Sequence, residues 1–231
     1  RLHQQIDLAR SEAIREAIQE VAGKLGGTIT MQELLDSVLE ITMKRFDSEV
    51  CSVFLTMPDS PHRIECVAGA GYAKRIVGIA RYDIGEGFTG HIAESKKSYN
   101  IKGRPDLEKL ERKGIWQKKF NKQQFAETDI DQCENILAVP LLAQDKVLGV
   151  IKVENKKQTT DGREKYTPYT ADDLKAFESI ASVVSLTIQN ARLHQQIETQ
   201  LKTIAAKAAH RIGNKAANYD GIELDLKDEF K

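Results

Sequence analysis

The chain lacks an excess of charge of either sign: its 231 residues carry 34 Lys plus Arg against 34 Asp plus Glu. That balance excludes the broad basic surface that drives non-specific binding to nucleic acid or to anionic membrane, so a nucleic-acid partner is not expected. No run of about 18 apolar residues occurs, which excludes a helical membrane span, and the stretch from Arg1 has no charged-then-apolar leader pattern. A cytoplasmic segment without membrane insertion is therefore expected. Cysteine is scarce. Cys51, Cys66 and Cys133 stand far apart with no CxxC pair, which speaks against a disulfide framework and against a zinc site, and they read as reduced thiols. What is present, 41% hydrophobic and 29% charged residues, is ordinary globular composition with enough apolar material for a core.

Both ends of the chain fall inside helical patterns, so a longer parent is expected. Ile14, Ile18, Val21 and Leu25 recur at helical spacing until Gly26-Gly27 breaks the pattern, giving a linker helix in residues 1–27. A second, core-facing helix follows from Thr30, with Thr30 and Glu33 as a capping box and Leu34, Leu35, Val38, Leu39 and Phe46 on its apolar face. From Glu49 the period changes to two. Val50, Ser52 and Phe54 alternate with Cys51, Val53 and Leu55, and Pro58-Asp59-Ser60-Pro61 turns the chain back into a strand over 63–69. A weaker third strand is expected within 75–82.

A short helix is expected through Glu94, then a short strand near Tyr99 to Ile101. Residues 104–134 are polar with sparse Leu107, Leu110, Ile115, Trp116, Phe120 and Phe125, a pattern suited to amphipathic pieces that cover a sheet and could serve as a lid. The clearest hairpin joins 135–142 to 146–153 through Ala143-Gln144-Asp145. Residues 157–168, without an apolar pattern, read as a loop. From Ala171 a long helix carries Phe177, Ile180, Val184 and Ile188, and its stripe continues in Ile197, Leu201 and Ile204. The hexapeptide Arg1-Leu2-His3-Gln4-Gln5-Ile6 recurs as Arg192-Leu193-His194-Gln195-Gln196-Ile197, which implies that residues 1–6 close a preceding, similar unit. Convergence of two coiled-coil helices is the alternative.

The order of elements, together with Ile84-Gly85-Glu86-Gly87-Phe88-Thr89-Gly90, the strands Ile136 to Leu141 and Val147 to Ile151, and Tyr169-Thr170-Ala171-Asp172-Asp173-Leu174, resembles a GAF domain. That is the small-molecule sensing fold of phosphodiesterases, phytochromes and bacterial sensor kinases. The resemblance covers roughly residues 30 to 195. It implies an α+β fold, a central antiparallel sheet with helices on one face and long signalling helices at both ends, divided as residues 1–27, a sensor domain over 28–196, and a signalling helix over 197–231. It also implies a pocket on the inner sheet face, with Phe54, Tyr82, Phe88, Tyr99, Trp116 and Phe125 as candidate lining. Asn155-Lys156 and Tyr169-x-x-x-Asp173 partly match the pattern of cyclic-nucleotide-binding members, in which such a lysine and aspartate pair to hold the closed form; Leu174 stands where those members have Glu. No cysteine here is followed by the histidine common at bilin attachment sites. His62 and His91 are the candidate axial ligands a haem would need. The cofactor stays unassigned.

Beyond the repeat, Ala208-Ala209-His210-Arg211-Ile212-Gly213-Asn214-Lys215 resembles the H-box of sensor histidine kinases. The resemblance makes His210 the candidate phosphoacceptor, attacking the γ-phosphate of ATP held by another domain. Arg211 and Lys215 stand where the family usually has an acidic residue and a proline. The sequence contains no ATP-binding boxes, so catalysis by this segment alone is not expected. The function implied is a dimeric sensor, paired through its terminal helices, that passes ligand or partner state to a histidine-kinase output and from there to a response regulator. A ligand-free dimerisation or protein-interaction module and an allosteric cyclic-nucleotide receptor are the two alternatives.

Overall fold

A computed structural model describes residues 30–116, 133–160 and 162–228, with side chains to Lys207 except that of Thr160. The linker helix expected in residues 1–27 and the first copy of the hexapeptide lie outside the described residues.

Helix α1 (Met31–Phe46) starts where the capping box closes. Thr30 Oγ1 accepts from Glu33 N at 3.3 Å while Glu33 Oε2 accepts from Thr30 N at 2.8 Å, which satisfies two end donors that the helix itself leaves open. Asp47, left-handed at φ 49°, ends it and turns the chain into strand β1 (Ser48–Met57). β1 pairs with β2 (Ser60–Ala70), and then comes a two-turn 3-10 helix, Gly71–Ile76. The third strand is shorter and later than its pattern suggests: β3 is Arg81–Asp83. Gly71 is the reason. At φ 64° its position would bring a Cβ within 2.4 Å of Glu49 O, so the chain turns there and buries Ala73 and Ile76 as a coil against the sheet instead of extending.

Helix α2 (Gly87–Ser95), strand β4 (Tyr99–Ile101) and helix α3 (Arg104–Arg112) follow, and then strands β5 (Ile136–Ala143), β6 (Lys146–Thr160) and β7 (Arg163–Tyr166). The sheet is antiparallel throughout, in the order β3-β2-β1-β6-β5-β4, with β7 on the far end of β6. The segment 157–168 is thus no loop. Lys157↔Tyr166 to Thr160↔Arg163 make a hairpin, and it is invisible to apolar periodicity because β7 is exposed along its whole length. β1 and β6 run so close that a Cβ on Gly149 would lie 1.9 Å from Phe54 O. Only glycine fits this crossing of the two central strands.

Strand alternation sorts the core into two layers. Cys51, Val53, Leu55, Leu137, Val139, Ile151 and Val153 point to one face and pack against Leu35, Val38 and Phe46 of α1 and against Phe177, Ile180, Val184 and Ile188 of the last helix. Helices were expected on one face, and these two long helices cover it, but shorter helices cover the other face as well because its residues are equally apolar. The opposite face, with Val50, Phe54, Ile64, Cys66, Ile136, Ala138 and Val150, is roofed by the 3-10 helix, α2 and α3. Helix α4 (Ala171–Asp228) is 58 residues long. The chain divides into two compact units between Gln189 and Asn190. In the second, Leu193, Ile197, Leu201 and Ile204 are 49–62% exposed. Among the described residues no helix is long and apolar enough to cross a membrane.

Candidate ligand site

The roofed face is apolar except at its middle. On β6, alternation aims Val150, Lys152 and Glu154 under the roof, and Lys152 Nζ lies 3.4 Å from Glu154 Oε1 with the two side chains 11% and 8% exposed. Cross-strand neighbours of Lys152 are Ser52 and Ala138, and those of Glu154 are Val50 and Ile136. Small residues therefore flank the ammonium. It also lies 5.3 Å from the centre of the Phe54 ring, a cation–π distance. Tyr72, on the 3-10 helix, donates its hydroxyl hydrogen to Glu154 Oε2. Burial first, then the Glu154 charge, raises the Tyr72 hydroxyl far above its ordinary value, so it stays a donor. Cys66 and Cys133 border the same face. Burial pushes the Cys66 thiol up to about 12, and burial followed by the Glu154 charge raises Cys133 well above the usual thiol range.

The aromatic residues expected to line a pocket do converge on this face, in two groups. Phe54 and Tyr82 have ring centres 5.8 Å apart, and Phe88 stands 5.6 Å from Tyr99 and 5.3 Å from Trp116. Phe125 lies outside the described residues. His91, from α2, shares a hydrogen bond of 2.7 Å with Tyr99 OH, and His62 is an exposed residue of β2. Neither is placed as a haem ligand: one is engaged by Tyr99 and the other stands on the outer surface. His210 lies within α4, and its side chain is outside the described residues. Lys152, Glu154 and Tyr72 are not among the residues expected from the sequence, and nothing in the sequence marks Tyr72. The signal for Lys152 and Glu154 is the alternation Val150-Ile151-Lys152-Val153-Glu154, two charges on the same side of a central strand.

A second polar cluster joins β6 to α4. Lys156 Nζ lies 2.6 Å from Asp173 Oδ2 and 5.7 Å from the Tyr169 ring centre. Asp173 Oδ2 also accepts from Thr170 N at 2.8 Å, and Thr170 Oγ1 accepts from Asp173 N at 3.0 Å, so one carboxylate caps the helix and tethers it. Burial alone would raise that carboxyl. The Lys156 and Thr170 hydrogen bonds outweigh it and hold the group below its ordinary value. Between the two clusters sits Asn155, buried and left-handed at φ 59°, whose amide donates to Glu49 Oε2 at 3.2 Å and whose oxygen accepts from Glu134 N at 2.8 Å. Among the described residues no group of three or more His, Cys, Asp or Glu could hold a metal ion.

A central antiparallel sheet backed by two long helices and roofed on its other face by short ones defines an α+β architecture, with a candidate site where polar groups lie under the roof. The chain belongs to the GAF domain family, whose sequence profile matches residues 28–189. Among solved structures it is similar to the GAF domain of a phosphoenolpyruvate-protein phosphotransferase from Coxiella burnetii, with 15% identity, a TM-score of 0.62, and coverage of 80% of this chain and 98% of that one. The corresponding domain from Acinetobacter gives 18% identity, a TM-score of 0.60, and coverage of 80% and 95%. A segment of a methyl-accepting chemotaxis protein gives 14%, 0.57, and 75% and 97%. At these identities the likeness is one of fold. No curated protein sequence matches the chain.

Proposed function

We propose that this GAF domain is the sensory part of a signal-transduction protein: it binds a small molecule on the roofed face of its sheet and passes the bound state through β6 to α4. The observation that carries the reading is the Lys152–Glu154 pair. A buried ion pair rarely repays its desolvation as stability, whereas a few convergent polar groups within an apolar site are what orient a ligand. The same strand holds the pair at 152 and 154 and the α4 tether at 156. A ligand that favours one arrangement of the pair shifts the population of tethered helix by its difference in affinity for the two states.

Downstream, the reading is a sensor histidine kinase. His210 is the phosphoacceptor, an ATP-binding domain is supplied by the parent protein, and a response regulator is the final acceptor. The exposed Leu193, Ile197, Leu201 and Ile204 give α4 a homodimer seam at helical spacing. That same stripe is what favours the second reading, a dimerisation module with no ligand. Lys156–Asp173 is equally available to a cyclic-nucleotide receptor. A thermal-shift screen that includes cyclic nucleotides, together with mass spectrometry of co-purifying molecules, separates these: a bound small molecule supports the sensor, and a silent panel favours the interaction module. For the output, the parent protein is incubated with labelled ATP, wild type against His210→Gln. Acid-labile label that persists in the variant removes His210 from the mechanism.

A further inference from the structure

We infer that the roofed face takes a small zwitterion carrying an ammonium and a carboxylate on neighbouring atoms, the chemistry of a free α-amino acid. The inference rests on reading this face as the ligand site and adds the class of ligand.

Three observations carry it. First, the site presents one positive and one negative group side by side, Lys152 Nζ 3.4 Å from Glu154 Oε1, at a position where both are nearly dry. A ligand carrying only a negative charge would pair with Lys152 and bring like charge against Glu154, an arrangement that interfaces select against. A ligand carrying only a positive charge meets the reverse conflict. A net-neutral dipole can satisfy both, exchanging one internal pair for two across the interface, carboxylate to Lys152 and ammonium to Glu154.

Second, both groups have capacity to spare. An ammonium has three donors and a carboxylate about four acceptor sites. Among the described residues Lys152 faces one carboxylate and the Phe54 ring. Glu154 takes Lys152, the Tyr72 hydroxyl and the Cys133 thiol, which leaves one acceptor site open.

Third, the surroundings suit an organic remainder. Ser52 and Ala138 leave low ground beside Lys152, while Val50, Phe54, Ile136 and Val150 supply an apolar wall. The Phe54 and Tyr82 rings, with centres 5.8 Å apart, add aromatic surface to that wall. Tyr72 is the displaceable partner. It stands on a short 3-10 helix that enters from Gly71 in the left-handed region, and an incoming ammonium takes over its place on Glu154.

The experiment is calorimetric titration of the full chain with free α-amino acids, with their N-acetyl and carboxamide derivatives, and with cyclic AMP and cyclic GMP. One or more free amino acids are expected to bind, and blocking either charge weakens binding by tenfold or more. The paired variant Lys152→Met with Glu154→Gln is the control for the site. It removes both charges together, a change that buried pairs tolerate, so it is expected to keep its thermal transition and lose the amino acid. Singly charged or nucleotide ligands that bind the wild type but not this variant overturn the zwitterion and leave the roofed site standing. Amino acids that bind both proteins equally overturn the site as well, and so does a panel in which nothing binds.

Discussion

Lys152 and Glu154 show how much one residue's side of a strand decides. Shifted by one position they would face the layer filled by α1 and α4, where Ile151 and Val153 pack; as they stand, they are charges under a roof. The same alternation fixes Cys51 on β1 and Cys66 on β2, whereas Cys133 lies just before β5. Cys51 points to the long helices and Cys66 and Cys133 to the roof, all at 5% exposure or less. Burial raises all three thiols, Cys66 to about 12, so almost no thiolate exists at neutral pH. Folded protein at pH 8 is therefore expected to give no fast reaction with a thiol-specific chromogenic disulfide and three equivalents in guanidinium. A fast-reacting equivalent in the folded state would contradict this burial. Reduced, unpaired cysteine was legible from spacing alone. Which thiols border the site was not, because facing depends on register between strands far apart in sequence.

At the scale of elements, α1 and the β5–β6 hairpin follow directly from capping and periodicity, since their local preferences agree with the fold. The 3-10 helix and the β6–β7 hairpin do not. One is set by the close approach of Gly71 to Glu49 O. The other is held by polar contacts, Tyr166 OH donating to Glu49 Oε2 at 2.7 Å and Lys157 Nζ lying 3.3 Å from Glu164 Oε2, which leave no apolar pattern to read. The α4 tether gives the element-scale prediction. Lys156→Ala removes a charge-assisted bond to a carboxylate that is 2% exposed, and urea unfolding is expected to show a loss of about 2 kcal/mol at pH 7. The folded Asp173 carboxyl titrates below its ordinary 3.8. Its contribution is thus complete above that value and disappears as pH falls through the lowered folded value. The gap between wild type and variant should close toward pH 2. A gap of the same size at pH 2 and pH 7 would place the tether's contribution elsewhere.

For the whole molecule, the helix that outlasts the sheet domain was readable from its period and the fold class from the resemblance its motifs carry, whereas the proposed ligand site was not. The aromatic residues named for it do cluster, yet in a folded domain aromatic residues on a covered sheet face cluster in any case. The distinguishing mark is the ion pair, which aromatic content does not announce. The stripe Leu193, Ile197, Leu201 and Ile204 supplies the prediction for assembly. Sedimentation of the intact chain is expected to give a dimer, and Ile197→Ser with Ile204→Ser a monomer that keeps the thermal transition of the sheet domain. A wild-type monomer at all concentrations would leave the seam without a partner copy.

The central claim is that the roofed face receives a ligand and β6 reports it to α4. Two-dimensional amide NMR of the isotope-labelled chain, titrated with a defined library of metabolites, tests this most directly. The account predicts that a binding compound shifts Tyr72, Lys152 and Glu154 and, with the same concentration dependence, Lys156, Asp173 and their neighbours at the start of α4. Shifts confined to the exposed helical stripe, or a library that moves none of these amides, would contradict it.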